Sequence, residues 1–339
     1  MDIKNMNDYS YFDFLIKGLA MNLTDENVEL MTRIAWLHYM EGLTQNEIGQ
    51  QLKLSQPKVA RLIDKAQKNG IIKISIESPL SNCLKIESTI RKQFGLQDVV
   101  VIPTPQEKEI YESIGRAGAW YMEKVLNNGD LVGIAWGRTL KHLALAIRSA
   151  KVKNLKFVTM VGGLTSSASL NPYTIGEKLA SIFEGECYYL YAPAVVESEE
   201  IRNFYLNERI NQNTLQLACQ AKWSLVGIGT VDVRYSIYSL TGFIDYHELE
   251  ALKQKGAVGD ILGQFYTIDG TILDTPLHRR TVAVPLENIQ KMHNVIGVAG
   301  GEEKADAILG ALRGHFINIL ITDEKTAMKI MSRISVLEG

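Results

Sequence analysis

The side chains best suited to chemistry in this chain form two sets. The first lies between Lys53 and Lys73: Lys53, Lys58, Arg61, Lys65, Lys68 and Lys73 face a single acid, Asp64, a local excess of five positive charges in a chain whose formal net charge is -2. A patch of this kind attracts a phosphate backbone. Within it Gln56 and Arg61 are the types that read base edges, since Gln bonds adenine and Arg bonds guanine with two hydrogen bonds each. Lys58, Lys65 and Lys68 suit phosphates, which position a protein without specifying sequence. The second set is dispersed. Arg138 follows Gly137, Asp260 lies in GAVGDILG, and Lys304 stands at the start of a helical pattern, where the helix dipole disfavours a cation. A carboxylate suits sugar hydroxyls, and a nearby anion would offset a cation at a helix start. Each has a simpler reading: Arg138 as a surface charge, Asp260 as a turn cap, and Lys304 as a cation offset by Glu302 and Glu303.

The elements that must position the first set are legible in Thr44–Asn69, TQNEIGQQLKLSQPKVARLIDKAQKN. Leu30, Ile34, Leu37 and Met40 recur at helical spacing over 29–41, and Gly42 ends that helix. Thr44 and Glu47 have the spacing of a capping box, so a second helix starts there. Ser55 is placed to cap a third, with Pro57 in its first turn, where a missing N–H costs nothing. Val59, Leu62, Ile63 and Ala66 form the apolar face of that third helix. Gly49 allows the last two helices a close approach. Two short helices with a tight turn and a basic outer face are the pattern of a helix-turn-helix, whose second helix enters the major groove. Thr44, Ser55, Gln56, Lys58, Arg61 and Lys65 are its candidate DNA-binding residues. Before Val28 the pattern is weak, an arm or an extra helix over 11–20. IIKISI after Gly70 favours β structure, and a boundary falls near 78–82.

The second set lies in an α/β pattern. LVGIAWG, FVTMVGG, SLVGIG and VIGVAGG are apolar runs ending in glycine, and FINILIT is another run without it. Four of the five lead into helical patterns, at Thr139, Gly176, Lys304 and Lys325. Such alternation implies a mainly parallel sheet covered on both faces. Ligands of these sheets bind beyond the carboxyl ends of the strands, which brings the glycines to one edge. Backbone N–H groups at the following helix starts favour an anion. None of the glycine clusters completes a dinucleotide fingerprint or a Walker loop, so no cofactor is expected. YTIDGTIL, 266–273, has the form of a hairpin with an Asp-Gly turn.

Composition narrows the class. A length of 339 residues with 46% hydrophobic side chains implies a small and a large domain, each with a core. The domains are read as 1–78, the helix-turn-helix with its arm, and 85–339, the ligand-binding and oligomerisation domain, with a linker at 79–84. Three cysteines, Cys83, Cys187 and Cys219, have no paired spacing, which fits a reducing cytoplasm. The N-terminus has no signal-peptide pattern, and no run is long enough to span a bilayer. The six histidines show no metal spacing. No Ser/His/Asp set can be assembled.

In combination, GLTQNEIGQQLKLSQPKVARLI, IAWGRTL, MVGGL, GIGT, GAVGDILGQF, GVAGGEEKADAILGALRG and ITDEKTA resemble the SorC family of bacterial sugar-responsive transcription regulators. The stretches run in order from about Glu29 to the C-terminus. The resemblance implies a helix-turn-helix head, an effector domain folded like sugar-phosphate isomerases and deaminases, and a homotetramer or dimers that pair on operator DNA. It places Gly137, Arg138, Thr139, Gly162, Gly163, Asp260 and Lys304 at the pocket of a phosphorylated sugar or polyol, Asp260 on hydroxyls and Lys304 on phosphate or sugar oxygen. The chain departs from the family at the turn, where Lys53 replaces glycine, and at Gly49, which replaces alanine. The reading is thus a ligand-controlled DNA-binding regulator without catalysis. The competing reading is an isomerase-like enzyme carrying a DNA-binding head, with Asp260 and either Asp232 or Asp245 as its guessed acid and base.

Overall fold

The computed structural model describes residues 26–74, 78, 80–148, 151–164 and 168–337. The arm or helix read before Val28 lies almost wholly outside them. The chain divides into two compact units, 1–77 and 78–339.

The first unit holds α1 (Glu26–Tyr39), α2 (Gln45–Leu52) and α3 (Gln56–Lys68). Ile34, Leu37, Ile48, Val59 and Ile63 form its core. The Thr44–Glu47 capping box is complete: the Glu47 N–H donates to Thr44 Oγ1, and the Thr44 N–H donates to Glu47 Oε2 at 2.8 Å. Ser55 has the extended backbone of a cap, but its hydroxyl makes no capping bond, contrary to expectation. Pro57 fills the first turn and supplies no N–H to be capped. The β-favouring run after Gly70 forms no strand over its described part, 71–74, because nothing pairs with it.

Lys53 is left-handed, with φ 56° and ψ 42°. An L side chain there costs about 1 kcal/mol. Lys53→Gly is therefore expected to stabilise the head by up to about 1 kcal/mol, less the extra freedom glycine gains when unfolded, read as a higher denaturant midpoint. At Gly49 an added Cβ would sit 2.7 Å from the Leu54 carbonyl oxygen. The turn thus presses on α2 where a side chain would intrude.

The second unit begins with α4 (Ser81–Phe94), whose first turn occupies part of the segment read as linker. There follow β1 (Asp98–Ile102), α5 (Ile110–Val125), β2 (Leu131–Ile134), α6 (Arg138–Ala146), β3 (Lys156–Thr159), α7 (Pro172–Ile182) and β4 (Glu186–Tyr188). The chain continues through α8 (Glu199–Asn207), α9 (Arg209–Cys219), β5 (Trp223–Val226), α10 (Ile237–Thr241), α11 (Tyr246–Gln254), β6 (Ala257–Ile261) and β7 (Gln264–Thr267). It ends with α12 (Leu286–Ile289), β8 (Val295–Val298), α13 (Ala305–Arg313), β9 (Ile319–Asp323) and α14 (Glu324–Leu337).

Seven strands form one parallel sheet in the order β1-β9-β8-β5-β2-β3-β4. Val132, Phe157, Leu225, Val295 and Ile321 are almost wholly buried, as expected of strands covered on both faces. The order reverses between β2 and β5. From β2 the chain moves outward to β3 and β4, then returns to the other side of β2 at β5. This reversal opens a crevice at the carboxyl ends of β2 and β5.

The antiparallel pair β6–β7 stands apart from the sheet. Its two-residue loop, Leu262–Gly263, has φ 53° and 81°, the signs that match the twist of a hairpin. Leucine is not a turn former, so this hairpin went unread. The expected turn at Asp269–Gly270 is present, with Gly270 at φ 80° and Thr267 N–H bonded to the Thr271 carbonyl at 3.0 Å. Its second arm is a single bridge, Tyr266 with Ile272.

Candidate functional site

On the head, Gln56, Lys58, Arg61 and Lys65 are all exposed. Lys58, Arg61 and Lys65 are three and four residues apart, so they share a face opposite buried Val59, Ile63 and Ala66. Among the described residues none of these cations has an ion-pair partner, which leaves them free for phosphates or bases. Gln56 projects from the first turn. Ser55 is exposed beside it. Thr44 stands differently: its hydroxyl donates to Glu47 Oε2 at 2.7 Å, so it is committed to starting α2.

In the second unit, three distant segments meet at the crevice. Gly137, with φ 128°, ends the β2 loop and starts α6, so Arg138, Thr139 and Leu140 form the first helical turn. Gly227–Gly229 end β5. Lys304 closes the turn between β8 and α13. Trp136, Gly137, Arg138, Thr139, Leu140, Gly229, Tyr235, Asp260 and Lys304 line one narrow cavity of about 40 Å³.

Asp260 reaches it from β6. Its Oδ1 lies so near Gly229 that a Cβ there would be 1.8 Å away, which explains glycine at that position. The Gly263 N–H donates to Asp260 Oδ2 at 3.2 Å. Burial pushes the carboxyl up to about 6, opposed by the Gly263 N–H, the Tyr238 hydroxyl and the charge of Lys304. Lys304 is 7% exposed. Burial, then the neighbouring Arg138, lower its ammonium to about 8, with Glu303 and Asp260 acting the other way.

The Arg138 guanidinium lies 4.2 Å from the centre of the Tyr111 ring and donates to the Tyr235 carbonyl at 2.7 Å. Lys304 Nζ approaches the same ring at 5.6 Å. Glu302 and Glu303 thus do not by themselves account for Lys304, which is held inside the fold against a second cation. A buried cation beside a half-buried one is repelled unless an anion joins them.

Gly162 and Gly163 are placed otherwise. They do not line this cavity. Their N–H groups donate to the Val282 and Ala192 carbonyls at 3.0 and 2.8 Å, and added Cβ atoms would strike Pro193 and the Tyr173 ring. Close packing, not an open anion cradle, accounts for both. Asp232 pairs with Arg234 at 2.7 Å and Asp245 caps α11, so neither forms an acid–base pair with Asp260.

Two contributors escaped the sequence reading. Tyr111 supplies the ring beneath both cations. Asp323, at the end of β9, accepts from the Gly301 N–H at 3.0 Å and from the Thr104 hydroxyl at 2.8 Å, and so fixes the turn that carries Lys304. The capping spacing of Asp323 and Thr326 was the available signal.

The charge on Lys304 sets a pH dependence. Its folded value, about 8, lies below the ordinary 10.5. The cost of burying the charge is therefore full below about pH 8 and fades between there and 10.5. Binding of an anion is expected to weaken as pH rises through about 8, by up to one proton per site. A titration of affinity between pH 7 and 9.5 checks this, and a flat profile would detach Lys304 from the anion.

A helix-turn-helix head joined to an α/β domain with a cationic crevice defines a ligand-responsive DNA-binding regulator. Residues 78–332 match the Sugar-bind family model, described as "Putative sugar-binding domain". The chain is 32% identical to the erythritol catabolism regulatory protein EryD of Brucella abortus, over 92% of this chain and 99% of that one. It is 35% identical to the transcriptional regulator LsrR of an Enterobacter species, over 93% and 95% of the two chains. The full-length sorbitol operon regulator SorC of Klebsiella pneumoniae superposes with a TM-score of 0.70 at 27% identity, over 91% of this chain and all of that one. The chain belongs to the SorC family of sugar-binding transcriptional regulators. Among its described residues no helix is long and apolar enough to cross a membrane, and no cluster of His, Cys, Asp or Glu is arranged to hold a metal ion.

Proposed function

We propose that the chain controls a carbohydrate-utilisation operon and that a phosphorylated sugar or polyol is its effector. The observation that carries this reading is the convergence of Arg138, Asp260 and Lys304, from three distant segments, on one crevice at the reversal of strand order. Arg138 and Lys304 take the phosphate, the first-turn N–H groups at Arg138 and Thr139 face it, and Asp260 accepts from hydroxyls. Gln56 and Arg61 read operator bases, while Lys58 and Lys65 hold phosphates. Ser55 adds a hydroxyl at the tip of α3. The working form is a cytoplasmic homo-oligomer, a tetramer built of two dimers, whose heads meet paired half-sites. The effector shifts the equilibrium between subunit arrangements by binding one of them more tightly.

A thermal-shift screen of phosphorylated sugars and polyols tests the ligand, because saturation at about 100 times Kd stabilises the native state by about 2.7 kcal/mol. Fluorescence anisotropy on promoter DNA, with and without the stabilising compound, tests the regulation. No stabilisation by any phosphorylated compound would refute the effector assignment.

One observation favours an enzyme instead. Asp260, raised to about 6, and Lys304, lowered to about 8, share a cavity, and shifts of this sort mark acid–base sites as well as binding sites. Product formation from the stabilising sugar phosphate decides it. The expected result is binding without turnover, as the relatives are transcriptional regulators.

A further inference from the structure

Tyr111 lies beneath Arg138 and Lys304. Its hydroxyl is buried and, among the described residues, has no hydrogen-bond partner. Buried hydroxyls in native proteins are bonded as a rule, so an orphan beside a ligand crevice points to a partner that a bound ligand supplies. Both cations of the crevice lie over the ring of this tyrosine, at 4.2 and 5.6 Å.

Tyr111 itself lines a second, wider cavity, whose wall carries Lys108, Arg234 and Lys325 but also Glu107, Glu302 and Glu303, and which shares Arg138 and Tyr235 with the first. Arg138 and Tyr235 therefore stand at the boundary between the two spaces, with the Tyr111 ring on the wider side of it. The segment around Tyr235 lines both spaces and is tied to their walls through Arg138 and Glu107. Arg138 donates to its carbonyl at 2.7 Å, and its own hydroxyl donates to Glu107 at 3.1 Å.

We propose that Tyr111 is an anion-recognition residue of this crevice: its hydroxyl donates a hydrogen bond to the effector phosphate once Arg138 exchanges the Tyr235 carbonyl for that phosphate. The inference rests on the effector reading above. An incoming phosphate is the better acceptor for a guanidinium, since ionised acceptors form stronger and often bidentate bonds. When Arg138 leaves the carbonyl, the Tyr235 segment loses this tie and the guanidinium turns to an anion beside the Tyr111 hydroxyl. Hydroxyl, guanidinium and ammonium then surround one anion.

Tyr111→Phe tests this, because it keeps the ring and both stacked cations and removes only the hydroxyl. Inorganic phosphate is the first probe, followed by the phosphorylated compound that stabilises the wild-type chain most. Phosphate affinity is expected to fall about ten-fold in the variant, since bonds to charged groups are worth at least that. The melting temperature without phosphate is expected to hold or rise, because an unpaired buried hydroxyl is lost. Equal phosphate affinity in variant and wild type would overturn the role of Tyr111 and leave the effector reading standing. A lower melting temperature of the phosphate-free variant would also overturn it, by revealing a structural partner for the hydroxyl. Absence of any phosphate-dependent stabilisation in the wild-type chain would overturn both.

Discussion

Lys304→Met is expected to weaken binding of the effector by about 100-fold or more, the usual consequence of removing one partner of a buried charge pair. Methionine has much the same length and volume, so the effect isolates the charge. The empty protein is expected to melt no lower than wild type. Holding a charged Lys304 in the fold costs about 3 kcal/mol relative to the unfolded chain, a figure that follows from its lowering to about 8. The loss of attraction to Asp260 offsets part of that gain, since the carboxyl, already raised to about 6 by burial, then stays protonated over a wider range. The signature is thus lost binding with retained stability. Isothermal titration with the stabilising sugar phosphate, beside a melting curve, reads both quantities. Unchanged affinity would remove Lys304 from the binding site, and a collapsed melting temperature would make its role structural.

The second large effect concerns the head. Arg61→Ala is expected to weaken operator binding by about 1–3 kcal/mol and to relax the preference at one base position, as loss of a bidentate contact to guanine does. Lys65→Ala is expected to act differently. A phosphate contact carries no sequence information, so its loss lowers affinity for operator and unrelated DNA alike and reduces the salt slope by about one. The contrast is the test, because both residues sit on the exposed face of α3 and both substitutions remove one positive charge. Anisotropy titrations on operator and scrambled duplexes over a range of salt separate the two. If Arg61→Ala weakened both duplexes equally, Arg61 would be a phosphate contact and base reading would fall to Gln56.

Much of this molecule was legible without coordinates because its signals are local. A capping box, a proline in a first turn and apolar positions three and four apart depend on neighbours in the chain, so α1, α2 and α3 could be read directly. The turn at Lys53 was marked only through the family resemblance, as a departure from glycine, and its φ of 56° is left-handed. The parallel sheet was legible from apolar runs alternating with helices. Ser55 shows the limit of such signals, since a residue of the right type stands at the cap position and leaves the bond unmade.

The crevice was legible only in part. The types of Arg138, Asp260 and Lys304 were informative, yet no pattern in the chain says that they meet. Their meeting depends on strand order, which places β5 and β8 beside β2, and strand order is settled by long-range packing of helices on both sheet faces. Gly162 and Gly163 show the converse, because a pair of glycines at a strand end reads the same whether it opens on a ligand or lets two backbones touch. The tertiary structure alone decided for close packing there. It also decided that Lys304 is buried beside Arg138, and that Tyr111, ordinary in sequence, lies beneath both. Sequence by itself determined which elements form and what chemistry their residues carry. Tertiary structure determined which of those residues share a space, because burial, and with it the lowered charge affinity of Lys304 and the raised proton affinity of Asp260, exists only once distant segments have closed around them.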